Sequence, residues 1–497
     1  MQRNQGYIMD FSDKDLKQIK EHGLTVEKVN KQLEDFKKGF PFIDIVEPAT
    51  INNGILTADD KVYDYMAQYS EYAKSHKIVK FVPASGAATR MFKDLMAGEK
   101  DTISKVINNI EQFAFWNDLQ TVLPKNPTTK DIVENIISRY GNTPKGLIPF
   151  HEYGNYARTP VEEHLMEGVQ YAASGNTVHI HFTVSPEHRM AFESLLNRIV
   201  PIYELKYCVK YDVQISEQNK STDTIAVDMN NTPFRNIDGS LLFRPAGHGA
   251  LIENLNNIDA DLIFIKNIDN ITTDDLRKDT IRYKKILAGI LIYVQQTIFD
   301  LIHKIDSKKA NCELLTQILH NFVTTKLGIK LSNNLSMSEY RKILNRPIRV
   351  CGMVKNTGDP GGGPFWVRGA DGDISLQIVE SSQIAPESKD IMNKSEYFNP
   401  VDLVCGIRDF NNEKFDLTEY VDKNTGFISN KSKDGKDLRA MERPGLWNGA
   451  MANWNTIFVE VPGSTFTPVK VVTDLLSQEH KKQDKLKKLN QHLTFDK

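Results

Sequence analysis

The stretch VKFVPASGAATRMFKDL, residues 79–95, decides the fold class of this chain. It begins with the β-branched and aromatic residues of a buried strand and ends with helical spacing of apolar residues. Small side chains fill the turn between them, at residues 84–88. In a parallel α/β sheet, such a turn lets backbone N–H groups approach a phosphate, with Arg90 placed to neutralise it. A tight turn whose small residues serve only packing is the alternative, because the stretch has neither GK[ST] nor GxGxxG.

Strand-like and helical segments alternate on the C-terminal side of this stretch. The apolar runs at 78–84, 177–185 and 262–268 each precede a helical pattern. This alternation predicts an α/β fold with a largely parallel sheet covered by helices on both faces. After about residue 345, strand-like pieces separated by turn clusters predict an appended mixed or antiparallel portion.

The remaining segments suggest four regions along the chain. Helical spacing and a capping box of Ser12 with Asp15 predict a helical N-terminal region. The apolar run at 286–302 is interrupted by polar residues and predicts a helix buried in a large core. The predicted regions are 1–75 (helical), 76–345 (α/β core), 346–470 (β-rich, completing the sugar side) and 471–497 (charged helix).

Composition excludes several classes of function. The 497 residues carry 62 Lys and Arg against 64 Asp and Glu, a formal charge of -2, so no global field would attract nucleic acid or an anionic membrane. The four cysteines are scattered, and the N-terminus lacks the apolar core of a secretory signal. We expect a soluble cytoplasmic protein without nucleic-acid or membrane partners; the oligomeric state stays open.

Two further stretches could carry chemistry. In LLFRPAGHGALIENL, 241–255, the glycines around His248 allow a backbone to lie against a planar or sugar-like group. In DLIFIKNIDNI, 261–271, an apolar strand delivers Asp269 to its C-terminal end, where a carboxylate is placed to hold Mg²⁺. An ordinary Asp-Asn turn is the alternative. His179 and His181, on one strand face with His188 nearby, would suit zinc, but packing and hydrogen bonding are the favoured interpretation.

The order of motifs resembles the eukaryotic-type UDP-sugar pyrophosphorylases over roughly residues 75 to 410. The series consists of the small-residue loop with ThrArg, TVSPEHRMAFESLL, ISEQNKSTDTIAV, PAGHGALIENL, IKNIDNI and SLQIVESSQI. The chain is also similar to a bacterial family of domains of unknown function that carries RPGLWNGAMANWNTIFVEVP, residues 443–462. The resemblance implies a Rossmann-like, mostly parallel sheet of the nucleotide-diphospho-sugar transferase (GT-A) type.

The resemblance also implies site residues. They are the nucleotide loop (Ala84, Ser85, Gly86, Ala87, Thr89), Arg90 facing pyrophosphate, Gln218 at the uracil edge, Gly247, His248 and Gly249 beside base and sugar, Asp269 on Mg²⁺, and Glu380 near the sugar hydroxyls. Gln218 as a surface residue and Glu380 in an ion pair are the alternatives.

Departures from the family pattern concern the loop and its lysine. Ala87 and Ala88 stand where the family usually has two glycines. The family's basic lysine, normally in a ProLys or LysGly pair a few residues past the arginine, has no clean counterpart here. Lys93 is closer to Arg90 than the family's lysine, and Lys436 lies with Lys433 and Arg439 in the glycine-containing segment 431–445. Lys93 and Lys436 join Arg90 as predicted catalytic residues, and a solvated turn is the alternative for that segment. In the segment 443–456, Trp447, Asn448, Trp454 and Asn455 would either line a sugar pocket or pack the C-terminal portion; Asn448 is predicted to bind substrate.

The resemblance implies transfer of a nucleotidyl group, uridylyl from UTP, to a sugar 1-phosphate with release of pyrophosphate. Positioning and charge neutralisation would suffice, since no protein nucleophile is required. A non-catalytic nucleotide or sugar-phosphate binding protein on the same fold is the alternative. A glycosyltransferase is disfavoured because no DxD pair lies at the expected strand end.

Overall fold

The computed structural model of the chain describes residues 9–58, 61–84, 88–307, 312–358 and 361–481. Three residues of the predicted nucleotide loop, Ser85, Gly86 and Ala87, lie outside the described residues. So does most of the predicted C-terminal helix, residues 482–497. The described part of that segment contains a 3-10 helix, Val472–Leu476.

The α-helices of the described ranges follow in chain order. They are α1 Asp13–Glu21, α2 Val26–Lys38, α3 Val62–Tyr72, α4 Lys93–Met96, α5 Lys100–Asn108, α6 Trp116–Gln120, α7 Thr129–Tyr140, α8 Pro160–Tyr171, α9 Arg189–Tyr207, α10 Leu251–Asn256, α11 Lys278–Asp306, α12 Cys312–Thr325, α13 Met337–Leu344 and α14 Lys389–Met392.

The strands of the same ranges alternate with these helices up to about residue 345 and dominate after it. They are β1 Ile45–Pro48, β2 Thr50–Ile51, β3 Gly54–Leu56, β4 Ile78–Pro83, β5 His151–Glu152, β6 Ala157–Arg158, β7 Ala173–Ser174, β8 Thr177–Val184, β9 Lys210–Glu217, β10 Thr224–Ile225, β11 Phe243–Arg244, β12 Leu262–Lys266, β13 Ile329–Lys330, β14 Ile348–Lys355, β15 Gly363–Arg368, β16 Ile374–Val379, β17 Tyr397–Phe398, β18 Asp402–Gly406, β19 Phe427–Lys433, β20 Lys436–Glu442 and β21 Asn455–Glu460.

Local sequence explains where several helices begin. Ser12 and Asp15 form the predicted capping box at α1, with the Ser12 hydroxyl accepting from the Asp15 N–H. Thr159 caps α8 in the same way, and Pro160 occupies its first turn, where a missing N–H costs nothing. The N-terminal region holds α1, α2 and α3, together with the short strands β1, β2 and β3, which the helical prediction did not include.

The predicted core helix at 286–302 is confirmed as the central part of α11. Among the described residues, α11 is the one helix long and apolar enough to cross a membrane by length and composition, and 67% of its most apolar window is buried within the protein. Ile286, Leu287 and Leu291 are fully buried.

The described residues form two compact units. The first unit comprises residues within Met1–Gln68, Glu217–Ile263 and Leu287–Glu460, and the second comprises residues within Tyr69–Ser216, Phe264–Ile286 and Val461–Lys497. Each unit therefore draws on three separated segments, whereas the predicted division follows chain order.

The first unit contains strand pairs of both directions. β14 pairs parallel with β21 and antiparallel with β18, and β21 continues parallel to β3. A separate antiparallel sheet has the order β1-β15-β16-β13, and β19 and β20 form a hairpin.

In the second unit, the first five residues of the stretch 79–95 belong to β4. This strand pairs parallel with β8, with Phe81 opposite His181, and β7 pairs antiparallel with β8. Apolar residues of β8 and of the helices α8 and α9 form one hydrophobic cluster around Phe182. The fold is thus mixed α/β. β4, whose sequence predicts a strand of a parallel sheet, pairs parallel with β8.

Candidate functional site

Four side chains from three distant segments of the first unit lie together. The Asn448 side-chain amide donates to Glu380 Oε1 over 2.9 Å. His248 Nε2 lies 3.9 Å from the same oxygen. The His248 ring stacks on the ring of Trp447, with centroids 4.1 Å apart and an interplanar angle of 7°. These four residues are called the Glu380 cluster below.

Two side chains of the Glu380 cluster are partly exposed, and a backbone hydrogen bond orients the histidine. The side chains of His248 and Glu380 are 31% and 35% exposed. Burial lowers the pKa of His248, and the charge of Glu380 opposes that shift. The Leu446 N–H donates to His248 Nδ1 over 2.9 Å, so the neutral imidazole carries its proton on Nε2, the nitrogen that faces Glu380. The cluster can thus offer a carboxylate acceptor, an N–H donor and a flat ring surface.

Asn448 has one further polar atom available. Its residue is 4% exposed, and its Oδ1 is buried without a hydrogen-bond partner among the described residues. A buried acceptor without a partner carries a desolvation cost that a bound donor would remove. The atom is therefore a candidate contact for a ligand hydroxyl.

Arg349, which was not predicted from the sequence, donates a hydrogen bond to the turn that carries Trp447 and Asn448. Arg349 is fully buried on β14. Its Nη1 donates to the Trp447 carbonyl over 2.6 Å, and its Nε donates to the Thr456 hydroxyl over 2.9 Å. The signal was present in the sequence, since an arginine interrupts the apolar run IRVCGMV, 348–354.

The glycines beside His248 have a packing role. Gly247 has φ +73°, and a Cβ built on it would lie 2.6 Å from Glu442 Oε2. A Cβ on Gly249 would lie 2.1 Å from the Pro444 carbonyl oxygen. The close approach expected for a ligand is therefore made, in this structure, by the segment 442–445, which brings Trp447 to His248.

The two alternatives for the segment 443–456 hold for different residues. Trp447 and Asn448 belong to the Glu380 cluster. Trp454 and Asn455 are 4% and 1% exposed, and the Asn455 amide donates to the Ile343 carbonyl over 3.0 Å. The packing alternative holds for Trp454 and Asn455, which lie just before and at the start of β21; a sugar-binding role for Trp447 and Asn448 stays a prediction.

Asp269 lies in the second unit, three residues after β12, where the sequence placed it. Lys145 Nζ donates to Asp269 Oδ2 over 2.8 Å and to the Val469 carbonyl over 2.8 Å. The side chain of Lys145 is 18% exposed, and that of Asp269 is 22% exposed. The structure therefore places a lysine on the predicted metal-binding carboxylate.

Lys145 lies in the triplet Pro144-Lys145-Gly146. The Thr143 carbonyl, two residues before it, accepts from the Ala88 N–H over 2.9 Å. This bond places the Pro-Lys-Gly turn against the end of the small-residue loop. This turn contains both a ProLys and a LysGly pair, but it lies 55 residues after Arg90 rather than a few residues past it.

The described residues of the small-residue loop follow β4. Ala84 is buried and its N–H donates to the Thr183 carbonyl over 2.9 Å. Thr89 and Arg90 are exposed in a short 3-10 helix, Ala88–Arg90. Lys93 is exposed at the start of α4. Their roles toward a nucleotide stay predictions.

Gln218 and Lys436 belong to the first unit and lie in local surroundings. The Gln218 amide donates to the Thr222 hydroxyl over 3.2 Å. Lys436 is exposed at the start of β20, opposite Lys433 in the hairpin. Their predicted roles at the uracil edge and on the triphosphate also stay predictions.

A fully buried charge cluster underlies the strands of the second unit. Glu167, on α8, accepts from Lys80 Nζ over 2.8 Å and from Lys266 Nζ over 2.7 Å. The Tyr171 hydroxyl donates to the same carboxylate over 2.8 Å. Burial lowers the pKa of Lys80 to about 7, with Lys266 and Lys284 adding repulsion. Burial alone would raise the pKa of Glu167, but Lys266 and Lys80 hold it well below its usual range. Lys266 ends β12, the strand that delivers Asp269.

The histidines of β8 are hydrogen-bonded to the neighbouring strand. His179 Nδ1 lies 2.9 Å from Asp212 Oδ2, and His181 Nε2 lies 2.7 Å from Ser216 Oγ. Within the described ranges, no group of three or more His, Cys, Asp or Glu side chains is arranged to hold a metal ion. Asp269 offers a single carboxylate, the number that Mg²⁺ needs when substrate phosphates supply further ligands.

Comparison with solved structures shows the fold. The chain is similar to the uridine diphosphate N-acetylglucosamine pyrophosphorylase of Trypanosoma brucei, with a TM-score of 0.51 at 10% identity, over 94% of this chain and 79% of that chain. The UDP-glucose pyrophosphorylase of Leishmania major aligns with a TM-score of 0.45 at 13% identity, over 95% of this chain and 82% of that chain. No curated protein matches the chain in sequence.

Comparison with protein families confirms the predicted resemblance to a family of domains of unknown function. The match extends over residues 12–481, nearly the whole sequence. The chain therefore belongs to the DUF4301 family, described as a domain of unknown function.

Proposed function

We propose that this protein is a nucleotidyltransferase that transfers a nucleotidyl group, uridylyl in the first instance, from a nucleoside triphosphate to a sugar 1-phosphate with release of pyrophosphate. The observation that carries the proposal is the Glu380 cluster. Three segments about 70 or more residues apart in sequence, around His248, Glu380 and Asn448, contribute to it. The resemblance to UDP-sugar pyrophosphorylases implies His248 for the base and sugar and Glu380 for the sugar hydroxyls, and the segment 443–456 predicts Asn448 as a substrate-binding residue.

The chemistry of the Glu380 cluster fits a sugar. The Glu380 carboxylate and the Asn448 Oδ1 are acceptors for hydroxyl groups, and His248 Nε2–H is a donor. The stacked faces of His248 and Trp447 present a flat surface of the kind on which a base or a sugar face packs. Arg349 fixes the turn that holds two of these groups, which favours a preorganised site.

The second unit supplies charged groups of the kind that phosphoryl transfer requires. We propose that Lys145 is the basic lysine of the site, because it contacts Asp269 and because its turn bonds to the small-residue loop. Arg90, exposed at the end of that loop, would face the leaving pyrophosphate. The fold likeness to the Trypanosoma brucei enzyme supports a Rossmann-like arrangement of the GT-A type.

The reaction needs no protein nucleophile. A phosphate oxygen of the sugar 1-phosphate attacks the α-phosphorus of the nucleoside triphosphate and forms a new P–O bond, while the bond from the α-phosphorus to the bridging oxygen breaks and pyrophosphate departs with that electron pair. Lys145 and Arg90 would neutralise charge on the phosphates, and the Glu380 cluster would orient the sugar.

Asp269 is the residue that would hold Mg²⁺. Lys145 contacts its Oδ2, and the carboxylate is 22% exposed, so it is accessible to an ion shared with substrate phosphates. When bound, Mg²⁺ supplies charge neutralisation on the phosphoryl oxygens.

The test is pyrophosphate release by the purified full chain with each of the four common NTPs, Mg²⁺ and a panel of sugar 1-phosphates. We expect release with one pair, and a loss of about 100-fold or more for Asn448→Ala, with Asn430→Ala, at an exposed position on β19, as the matched control. A melting shift with NTP but no release across the panel would favour the non-catalytic binding protein. If the protein shows neither a melting shift nor pyrophosphate release, the proposal is refuted.

A further inference from the structure

The first unit contains a cavity that does not coincide with the Glu380 cluster. It has a volume of about 760 Å³, and its walls come from residues 41–44, the segment 329–346, strands β15 and β16, and residues 422–425 and 448–453. Of the Glu380 cluster, Asn448 alone lines it. The volume lies within the roughly 300–1,000 Å³ of typical small-molecule sites.

The polar lining of the cavity disfavours an anion and a metal ion. Five acidic residues face three basic ones, a formal charge of -2, which repels phosphates. No group of three or more carboxylate, imidazole or thiol side chains within the described ranges is arranged for a metal. Nine Asn, Gln, Ser and Thr residues complete the polar lining. Such a surface, rich in both donors and acceptors and short of positive charge, suits a neutral polyhydroxyl ligand.

Arg346 is a charged donor that the fold leaves available. It is half-buried, lines the cavity, and its guanidinium makes neither a hydrogen bond nor an ion pair with any described residue. Asp371 and Asp373 act on it only through space. Asp373 Oδ1 is already occupied by the backbone N–H and the hydroxyl of Ser332. The five N–H donors of Arg346 therefore remain for a ligand.

An exposed aromatic ring lies beside these polar groups. Phe42 lines the cavity and is 57% exposed. The ring offers apolar surface whose burial by a ligand would be favourable. The C–H face of a sugar ring is a ligand surface that covers an aromatic ring while its hydroxyl groups bond to amides, carboxylates and an arginine.

We propose that this cavity is a carbohydrate-binding site, distinct from the Glu380 cluster, that takes a neutral mono- or disaccharide through Arg346, the amide side chains and the Phe42 ring. This inference does not rest on the proposed nucleotidyl transfer. It assigns a second sugar site to a chain whose first was implied by resemblance.

Hydrogen bonds connect the cavity wall to the Glu380 cluster. Gln383 Nε2 donates to the Thr425 carbonyl over 2.8 Å, and Gln383 Oε1 accepts from the Glu380 N–H over 3.0 Å. Thr425 and Asn448 both line the cavity. A saccharide in the cavity therefore contacts residues that hold Glu380 in place, which gives it a direct route to influence that cluster.

The experiment is saturation-transfer NMR and calorimetry on the full chain. The probes are glucose, galactose, mannose and N-acetylglucosamine, then maltose and cellobiose, with inorganic phosphate as the anion probe. We expect one of the saccharides to bind, with affinity reduced at least tenfold by Arg346→Met. Arg341→Met is the matched control, because Arg341 lies on α13 five residues before Arg346, is paired with Asp306 and does not line the cavity.

Two further variants keep the result decisive. Phe42→Ala removes an exposed ring, so it should leave the fold intact and still weaken binding. Glu380→Gln should leave binding within about twofold. Absence of binding by every saccharide would overturn the proposal. Saccharide binding that is lost in Glu380→Gln but retained in Arg346→Met would also overturn it, because the sugar would then bind at the Glu380 cluster. Binding of phosphate alone, dependent on Arg346, would overturn it as well.

Discussion

Replacing Glu167 by glutamine should destabilise the second unit because it removes the carboxylate from a fully buried cluster of lysines. The carboxylate oxygens of Glu167 accept from Lys80 at 2.8 Å and from Lys266 at 2.7 Å. All three side chains are 0–1% exposed. Glutamine keeps the shape, but its single carbonyl oxygen can serve one lysine, and its amide group must then point donors at the other.

The expected cost follows from the state of the two lysines. Breaking a buried ion pair by removing one partner costs about 3–5 kcal/mol, since the remaining charge is left uncompensated. Burial lowers the pKa of Lys80 to about 7, so in the variant Lys80 loses its proton at neutral pH with little further penalty. Lys266 loses its ion pair with the Glu167 carboxylate. We therefore expect the lower end of the range, about 3 kcal/mol at pH 7.

The assay is hydrogen exchange followed by mass spectrometry on peptides covering β4, which carries Lys80, and β8, which pairs with β4. A loss of about 3 kcal/mol corresponds to exchange faster by on the order of 100-fold. Glu193→Gln is the matched control, because Glu193 forms an exposed pair with Arg189 and should change stability by less than about 0.5 kcal/mol. Exchange in Glu167→Gln that matched the control would refute the view that this carboxylate compensates buried charge.

Three other outcomes follow from the structure. Asp269→Asn should abolish Mg²⁺-dependent pyrophosphate release while melting stays unchanged, with Asp279→Asn as the control; near-normal rates would remove Asp269 from the proposed metal site. Gly249→Ala should cost about 1–3 kcal/mol in urea denaturation, because its Cβ would lie 2.1 Å from the Pro444 carbonyl oxygen, whereas Gly463→Ala, whose Cβ meets nothing within 4 Å, should be neutral. The hydrogen bond from Arg235 lowers the pKa of Asp15 from 3.8 to about 2, so the stability difference between the wild type and Asp15→Asn should be full above pH 4 and shrink as pH falls through 2; a difference that kept its full size at pH 2 would contradict this.

Local signals in the sequence identified much of the fold. The capping box at Ser12, the strand at 78–83 and the long buried helix of α11 all depend on neighbouring residues, so their patterns are legible without tertiary structure. The mixed or antiparallel portion predicted after about residue 345 is present, but the sequence did not predict the direction of each strand pair. Whether β14 runs parallel to β21 depends on partners about 100 residues away, and strand direction leaves no periodic mark in either segment.

The candidate site divides in the same way. Gly247, His248, Gly249 and Glu380 are predicted site residues because short motifs carry them in a characteristic order, and Asn448 because it lies between aromatic and small residues in the segment 443–456. Arg349 and Lys145 were not singled out, since each acts through a partner far along the chain: the Trp447 carbonyl for one and the Asp269 carboxylate for the other.

The sequence by itself determined the elements, the family and the polar residues available for chemistry, because capping, periodicity and motif order are properties of adjacent residues. Only the tertiary structure decided which of those residues meet. Glu167 bonds to two lysines, Arg346 is left without a partner among the described residues, and Asn448 reaches Glu380. A side chain's charge state and free hydrogen-bonding capacity depend on burial and on contacts across long sequence separations, and these exist only once the chain has folded.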